Sequence, residues 1–195
     1  MKYYTGIGSR ETPAEILALM TKVGQKLASE GWCLRSGGAE GADTAFEDGW
    51  WANRMTKDIC YTSNDYECYI PWSGFNGHTL VSHDAKCINP TGKFASQAEQ
   101  VAARMHPAWD AVRQDGTPVL SQAAKKLHTR NVFQIMGKDL NTPSRFVVAY
   151  AKTDKHGTPK GGTATAIALA KKMDIPVFNL YLPEDLERLK RFVGE

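Results

Sequence analysis

Residues 32–43 read WCLRSGGAEGAD, a short apolar segment followed by a glycine-rich turn. Trp32–Ser36 predicts a β-strand, and the turn leads into a helix predicted over Asp43–Arg54. The same order occurs earlier, where a strand predicted over Lys2–Ile7 ends at Gly8-Ser9-Arg10 before another helix. Strand, glycine turn and helix, repeated within about 50 residues, favour an α/β fold with a mostly parallel sheet.

The first helix has distinct start and stop signals. Thr12 is a favourable N-cap, Pro13 suits the first helical position, and Glu15 stands where the acidic partner of a capping box is expected. Gly31 follows the last apolar position and is typical of the residue just beyond a helix. The sequence therefore predicts a helix between Pro13 and Gly31.

The rest of the chain alternates in the same way. Further strands are predicted over Glu67–Trp72, Arg145–Ala151 and Ile175–Leu180, and further helices over Ser96–Trp109, Ser121–Met136, Gly161–Met173 and Pro183–Phe192. Ser121 is a candidate N-cap. Ser73–Thr91, rich in glycine, asparagine, histidine and serine, predicts a long loop. Because no repeat or linker interrupts residues 1–195, the sequence predicts a single α/β domain with helices on both faces of the sheet.

Composition restricts the class of protein. The chain of 195 residues is 42% hydrophobic and 23% charged, which indicates a folded globular protein rather than a disordered one. The formal net charge is +3. A protein that follows nucleic acid over a broad surface is usually more basic, so this charge favours at most a local basic pocket. The sequence has no apolar run long enough to span a membrane and no secretory signal, so we expect a cytoplasmic protein without membrane partners.

The spacing of cysteines and histidines gives no indication of a metal site. The four cysteines, Cys33, Cys60, Cys68 and Cys87, include no C-x-x-C pair, and the five histidines include no H-E-x-x-H pair. Reduced thiols are expected in a cytosolic protein. The sequence therefore predicts neither a metal nor another cofactor.

Three glycine-containing loops follow predicted strands: Gly6–Arg10, Ser36–Asp43 and Lys160–Thr165. In an open parallel sheet, ligands bind at the carboxyl ends of the strands. Glycine lets backbone N–H groups approach an anion closely, and the following helix N-terminus attracts negative charge. Any one loop is also explained by tight turning alone, but three together favour a phosphorylated ligand. The candidate ligand-binding residues in these loops are Gly8, Ser9, Arg10, Ser36, Gly37, Gly38, Ala39, Gly41, Gly161, Gly162, Thr163 and Thr165.

Two carboxylates belong to the second loop. Glu40 and Asp43 would repel a phosphate, so we expect them to face a sugar hydroxyl, a base edge or a backbone N–H group. Alternatively, Asp43 only caps the following helix. If the ligand is cleaved, these two residues are the candidate catalytic carboxylates.

A basic cluster, Lys125–Asn131, lies in the helix predicted over Ser121–Met136. Its cations either form a solvated helix face or, in the case of Arg130, reach the ligand. His128 is expected to be a structural or a surface histidine rather than a base. Most of the five tryptophans are expected to pack in the core. Trp72 and Phe75, beside the long loop, are the better candidates for stacking on a base.

Four motifs, in their order along the chain, resemble the SLOG superfamily, which includes DNA-processing protein A, the lonely-guy phosphoribohydrolases and YpsA-like proteins. They are GIGSR (Gly6–Arg10), SGGAEGAD (Ser36–Asp43), LHTRN (Leu127–Asn131) and KGGTATAIALA (Lys160–Ala170). The pattern looks most like that of small stand-alone members found in phage and mobile-element genomes. The resemblance implies a single Rossmann-like domain and a nucleotide pocket completed by Arg130 and Asn131. Because members commonly dimerise, it also implies a homodimer.

One departure from the family bears on activity. Lonely-guy proteins carry PGG-x-GT-xx-E, whereas here Lys160 replaces the proline, Ala164 a glycine, and Ala168 the glutamate that acts on the ribose. The pattern therefore favours a protein that binds a nucleotide or a nucleotide-derived ligand. Two alternatives stay open: an N-glycosidase that uses Glu40 and Asp43, and a recombination mediator that binds single-stranded DNA.

A substitution follows from the glycine loops. Bulky residues at Gly38 and Gly162 together are expected to abolish ligand binding without unfolding the protein.

Overall fold

The computed structural model describes residues 1–55, 66–78, 87–88 and 92–195. The strands of these segments are β1 (Lys2–Gly8), β2 (Trp32–Ser36), β3 (Tyr66–Tyr69), β4 (Cys87–Ile88), β5 (Val147–Tyr150) and β6 (Val177–Asn179). The α-helices are α1 (Ala14–Ser29), α2 (Ala42–Met55), α3 (Gly92–Met105), α4 (Gln122–Met136), α5 (Ala164–Lys172) and α6 (Pro183–Val193). None of the helices in these segments is long and apolar enough to cross a membrane.

The strands form one sheet in the order β4-β3-β2-β1-β5-β6. Every pair of neighbours is parallel, including the two pairs on either side of β1. The chain moves outward from β1 to β4 and then returns to the other side of β1 at β5. This reversal creates a crevice at the carboxyl ends of β1 and β5, the position where α/β sheets bind ligands.

Helices cover both faces of the sheet, as the sequence predicted. One core contains Met20 of α1, Phe46 of α2 and Leu189 of α6. The opposite core contains Phe133 of α4 and Ile167 of α5, together with buried side chains of α3. Because both faces are covered, the central strand β5 (VVAY) is buried along its whole length and its apolar residues do not alternate with polar ones.

Helices α1 and α2 lie in close contact at a glycine. A Cβ atom at Gly49 would lie 2.0 Å from the carbonyl oxygen of Thr21, so only glycine permits this approach. The contact fixes α2 against α1, and α2 begins directly after the second glycine loop. The packing of these two helices therefore positions that loop relative to the loop after β1.

The capping box predicted for α1 is wrong. Helix α1 begins at Ala14 with Pro13 as its N-cap residue, and no side chain caps it. The hydroxyl of Thr12 instead donates to the carbonyl oxygen of Ser9 at 2.7 Å. The loop after β1 therefore uses Thr12 to close its own turn. Gly31, by contrast, follows the helix with φ +78°, as expected.

Other boundaries differ by a few residues. Helix α3 begins earlier and ends earlier than the predicted Ser96–Trp109. Ser121 caps α4 as predicted, accepting the N–H of Ala124 at 3.1 Å. The predicted loop Ser73–Thr91 contains a 3-10 turn at Phe75–Gly77 and strand β4, and residues 79–86 and 89–91 lie outside the described part of the chain.

Candidate ligand-binding site

A pocket of about 440 Å³ opens at the carboxyl ends of the central strands. Its walls come from the three glycine loops that the sequence singled out, which contribute Gly8–Glu11, Ala39 and Lys160–Thr163. The volume falls in the range of about 300–1,000 Å³ that is typical of small-molecule sites. The fold therefore brings the three loops to one site.

Helix α4 forms the opposite wall of this pocket. Leu127, His128, Arg130 and Asn131 line it, and Phe75 of the 3-10 turn closes one side. The α4 segment is LHTRN, so this motif and the glycine loops meet in space although the chain separates them widely. Phe75 is one of the two aromatic residues that the sequence favoured for stacking on a base. Trp72 lies against the Phe75 ring, with centroids 5.2 Å apart, and lines a different cavity.

A buried ion pair joins α4 to the second glycine loop. Arg130 Nη1 lies 3.5 Å from Asp43 Oδ2, with both side chains buried, and Arg130 also donates to the carbonyl oxygen of Gly37. Asp43 Oδ2 accepts the N–H of Ala39 at 3.4 Å. Burial raises the pKa of Asp43, and the guanidinium opposes that rise. Because arginine keeps its charge in proteins, the pair is an ionic tie inside the pocket wall.

Asn131 makes the corresponding contact to the third loop. Its Nδ2 donates to the carbonyl oxygen of Gly162 at 2.9 Å. Successive residues of α4 therefore hold two different glycine loops, Arg130 the second and Asn131 the third. The LHTRN segment organises the pocket as well as lining it.

Three buried polar atoms of the pocket wall lack a hydrogen-bond partner among the described residues. They are Asp43 Oδ1, Arg130 Nε and Asn131 Oδ1. Buried polar groups in folded proteins are nearly always hydrogen-bonded, because an unpaired one costs about 1–3 kcal/mol. All three atoms belong to side chains that line the pocket, so its wall is polar.

His128 lines the pocket, and its ring contacts Thr165 and His106. Its Nδ1 lies 2.9 Å from Thr165 Oγ1, and its ring packs edge-on against His106 with centroids 4.5 Å apart. Burial, with the neighbouring His106 and Arg130, lowers the pKa of His128 to about 4. We therefore expect a neutral imidazole at physiological pH. Of the two roles predicted for His128, structural or surface, these contacts and its burial favour the structural one.

Replacing His128 with glutamine should alter how stability depends on pH. The unfolded chain binds a proton on His128 near the ordinary value of 6.5, and the folded chain only near 4. Between these values the unfolded state binds more protons, so this residue makes the wild type less stable as pH falls. The difference in unfolding free energy between wild type and His128→Gln should shift by at most about 3 kcal/mol across that interval. Urea unfolding at a series of pH values measures it.

The exposed His156 provides the control. His156→Gln should follow the wild-type pH profile. A constant difference between wild type and His128→Gln over the whole interval would contradict the neutral, buried state of His128.

The predicted site residues divide into those that line the pocket and those that lie behind it. The lining group is Gly8, Ser9, Arg10, Ala39, Asp43, Arg130, Asn131, Gly161, Gly162 and Thr163. The group that does not line it is Ser36, Gly37, Gly38, Gly41 and Thr165, all but Gly41 buried. Glu40 is exposed and lies outside the lining, so the structure does not bring the two candidate catalytic carboxylates together in the pocket.

Ser36 and Glu47 lie behind the second loop and support it through hydrogen bonds. The hydroxyl of Ser36 donates to Glu47 Oε1 and accepts the N–H of Gly38 at 3.3 Å. Burial raises the pKa of Glu47 to about 7, and the nearby Asp43 carboxylate adds to the rise. Sequence reasoning missed Glu47. Its position four residues after Asp43, on the same face of α2, was the available signal.

Gly37 and Gly38 of this loop have no room for a side chain, whereas Gly162 does. A Cβ at Gly37 would lie 1.6 Å from Arg130 Nη1, and Gly38 has φ +63° with His78 Nε2 2.8 Å from the corresponding position. Gly162 has no heavy atom within 4 Å. The expectation that a bulky residue at Gly38 leaves the fold intact is therefore wrong. Gly162 is suitable for such a substitution.

Comparison with known proteins gives fold-level likenesses. No family model matches the chain, and no curated protein matches it in sequence. Among solved structures, the molybdenum cofactor carrier protein from Chlamydomonas reinhardtii is 18% identical, with a TM-score of 0.48 and coverage of 98% of this chain and 85% of that one. The DNA processing protein A from Helicobacter pylori, described as binding single-stranded DNA, is 13% identical, with a TM-score of 0.39 and coverage of 99% and 79%. The likeness concerns the course of the backbone alone.

Proposed function

We propose that this protein binds a nucleotide or nucleotide-derived ligand in the pocket between the three glycine loops and α4. The observation that carries the proposal is the meeting of the three glycine loops with α4 around one pocket, whose lining includes the polar side chains of Asp43, Arg130 and Asn131. A polar lining of this kind suits ribose hydroxyls and a base edge rather than an apolar ligand.

We assign the phosphate of this ligand to Arg10 and Lys160, the two exposed cations that line the pocket, because the Asp43 carboxylate would repel it. Lys160 lies four residues before Ala164, where α5 begins. The first N–H groups of a helix have no partner within the helix and attract anions. Phe75 also lines the pocket and supplies an aromatic surface for a base. The exposed carboxylate of Glu11 lies in the same lining and disfavours an additional phosphate near it.

Thermal unfolding with a ligand panel tests the proposal. The panel contains nucleoside mono-, di- and triphosphates, the matching nucleosides, dinucleotides, cyclic nucleotides and a short single-stranded oligonucleotide. A ligand at about 100 times its Kd stabilises the fold by about 2.7 kcal/mol, which raises Tm by several degrees for a chain of this size. We expect a shift with a phosphorylated nucleotide and none with its nucleoside. A shift with the oligonucleotide alone, lost at high salt, would instead favour the recombination mediator.

Removing the two exposed cations should weaken binding without affecting the fold. For Arg10→Ala/Lys160→Ala we expect at least a tenfold higher Kd, because hydrogen bonds to charged groups contribute about 1.5–3 kcal/mol each. The matched control is Lys171→Ala/Lys172→Ala, which removes two exposed cations from the far end of α5. Gly162→Trp should abolish binding by filling the pocket. Equal affinities for wild type and both pocket variants would place the ligand elsewhere.

A second candidate function is cleavage of the N-glycosidic bond of the bound nucleotide. The observation in its favour is the Asp43 carboxylate, buried in the pocket wall with a raised pKa and one unpartnered oxygen. Assaying the same samples for released base tests it. Release that stops in Asp43→Asn and continues in the control Glu40→Gln would support an enzyme with Asp43 as its carboxylate. Absence of released base from wild type would leave binding alone.

A further inference from the structure

Glu47, Cys68 and His78 form a compact cluster behind the second glycine loop. One carboxylate oxygen, the thiol sulfur and one imidazole nitrogen all lie within 4.8 Å of one another. Glu47 Oε2 and His78 Nε2 are 3.8 Å apart. We propose that this cluster binds a divalent metal ion, and that Zn²⁺ is the ion its donor set favours.

The three donors are of the types that zinc prefers. Thiolate, imidazole and carboxylate are its usual protein ligands, and the soft thiolate disfavours Mg²⁺ and Ca²⁺. Donors bound at 2.0–2.3 Å to a tetrahedral zinc ion lie about 3.3–3.7 Å from each other. The separation of 3.8 Å between Glu47 Oε2 and His78 Nε2 is slightly wider than this, and no two of the three donors are more than 4.8 Å apart.

The carboxylate of Glu47 is already oriented toward the other two donors. Ser36 donates to Oε1, which leaves Oε2 facing His78, and the hydroxyl of Tyr66 adds a further hydrogen bond to the carboxylate. Hydrogen bonds of this kind typically orient metal ligands, and their loss costs about 10–100-fold in metal affinity. Ser36 therefore acts as a positioning residue for Glu47.

The local charge accommodates a divalent cation. The cluster lies within electrostatic reach of the Arg130 guanidinium, which also faces Asp43. With a metal bound, two carboxylates and one thiolate balance one guanidinium and one divalent ion, so the buried region becomes neutral. A neutral arrangement avoids the large cost of burying unpaired charge.

Binding at this cluster would brace one wall of the ligand pocket. The donors come from α2, β3 and the residue after the 3-10 turn, and Gly38 lies against two of them. A Cβ at Gly38 would be 2.8 Å from His78 Nε2 and 3.0 Å from Cys68 Sγ. Asn76 also donates to the carbonyl oxygen of Gly38 at 3.0 Å. A metal would therefore fix the 3-10 turn, which carries Phe75, against the second glycine loop.

Titration of the metal-stripped full chain with Co²⁺ tests the inference. Co²⁺ occupies zinc sites, and its thiolate charge-transfer absorption reports coordination by cysteine. We expect one equivalent to bind with this band in wild type, and Zn²⁺ to displace it. Cys68→Ser should lose the band, and His78→Gln should bind Co²⁺ at least about tenfold more weakly. Cys33→Ser is the matched control, because Cys33 is a buried cysteine outside the cluster, and it should behave as wild type.

Circular dichroism of the metal-free variants separates a lost ligand from a lost fold. His78 is partly exposed, so we expect His78→Gln to keep the fold. If Cys68→Ser does not fold, the Co²⁺ affinity of His78→Gln tests the metal site by itself. Absence of the thiolate band from wild type, or unchanged Co²⁺ affinity in folded His78→Gln, would overturn the proposal. The result does not depend on which ligand the neighbouring pocket binds.

Discussion

Replacing Arg130 with methionine should lower the free energy of unfolding by about 3–5 kcal/mol, because it leaves the Asp43 carboxylate buried without its partner. Methionine keeps the aliphatic volume, so the loss reports charge rather than packing. Burial raises the pKa of Asp43, and the guanidinium is the largest opposing influence. Without it the folded carboxyl holds its proton to higher pH, so the destabilisation should be smaller at about pH 5 than at about pH 8. Urea unfolding at both pH values measures the effect.

Two further variants define the cause of this loss. Arg10→Met removes an exposed cation of the same pocket and should change stability by no more than about 0.5 kcal/mol. Arg130→Met/Asp43→Asn should recover part of the loss, since no charge is then left unpaired. A loss for Arg130→Met that is small, or independent of pH, would mean that the pair does not stabilise the pocket wall.

Replacing Arg35 with methionine should destabilise the fold by a similar amount, about 3–5 kcal/mol, without altering the pocket. Arg35 on β2 is 1% exposed, and its Nε donates to Glu67 Oε2 at 2.8 Å. Tyr69 donates to the same carboxylate oxygen at 2.7 Å, and the guanidinium lies over the Tyr3 ring, 3.9 Å from its centroid. Removing the cation leaves the buried Glu67 carboxylate of β3 without a charged partner. Denaturant unfolding gives the loss of stability.

Ligand affinity distinguishes the two buried arginines. Arg35 does not line the pocket, so the folded fraction of Arg35→Met should bind nucleotide with wild-type affinity, whereas Arg130→Met should not. Arg145→Met, which removes an exposed arginine, serves as the control for stability and should lie within about 0.5 kcal/mol of wild type. Equal loss of binding in the Arg35 and Arg130 variants would contradict the separate roles given to them.

The α/β architecture follows from the sequence because its signals are local. Trp32–Ser36 is bounded by two glycines, and the strand has those residues in the structure. Gly31 follows the end of α1 and Gly37 follows the end of β2, so both boundaries are marked in the local sequence. The capping of α1 was wrong because Thr12 has two competing partners, and the closed turn at Ser9 takes its hydroxyl. Sequence spacing does not rank two local hydrogen bonds of similar strength.

The loops that form the site were predictable from the sequence, but which of their side chains are buried in the pocket wall was not. Strand ends of a parallel sheet share one edge, so Gly8, Ala39 and Gly162 were expected together. Which side chains of a loop face inward depends on the first turn of the following helix, and this separates buried Asp43 from exposed Glu40. Sequence distance also conceals the cluster of Glu47, Cys68 and His78, because residues from three elements form it only after folding.

We propose that the three glycine loops together bind one phosphorylated ligand. Two-dimensional ¹H–¹⁵N NMR during titration with nucleotides and their nucleosides tests it most directly. We expect the amides of Ser9, Ala39 and Gly162 to shift along one binding curve with a nucleotide. Gly31 and Asp174 lie at the amino ends of β2 and β6, away from the pocket, and the signals of their amides should not shift. Shifts confined to those two amides, or equal shifts and affinities for nucleotide and nucleoside, would contradict binding of a phosphate by the three loops together.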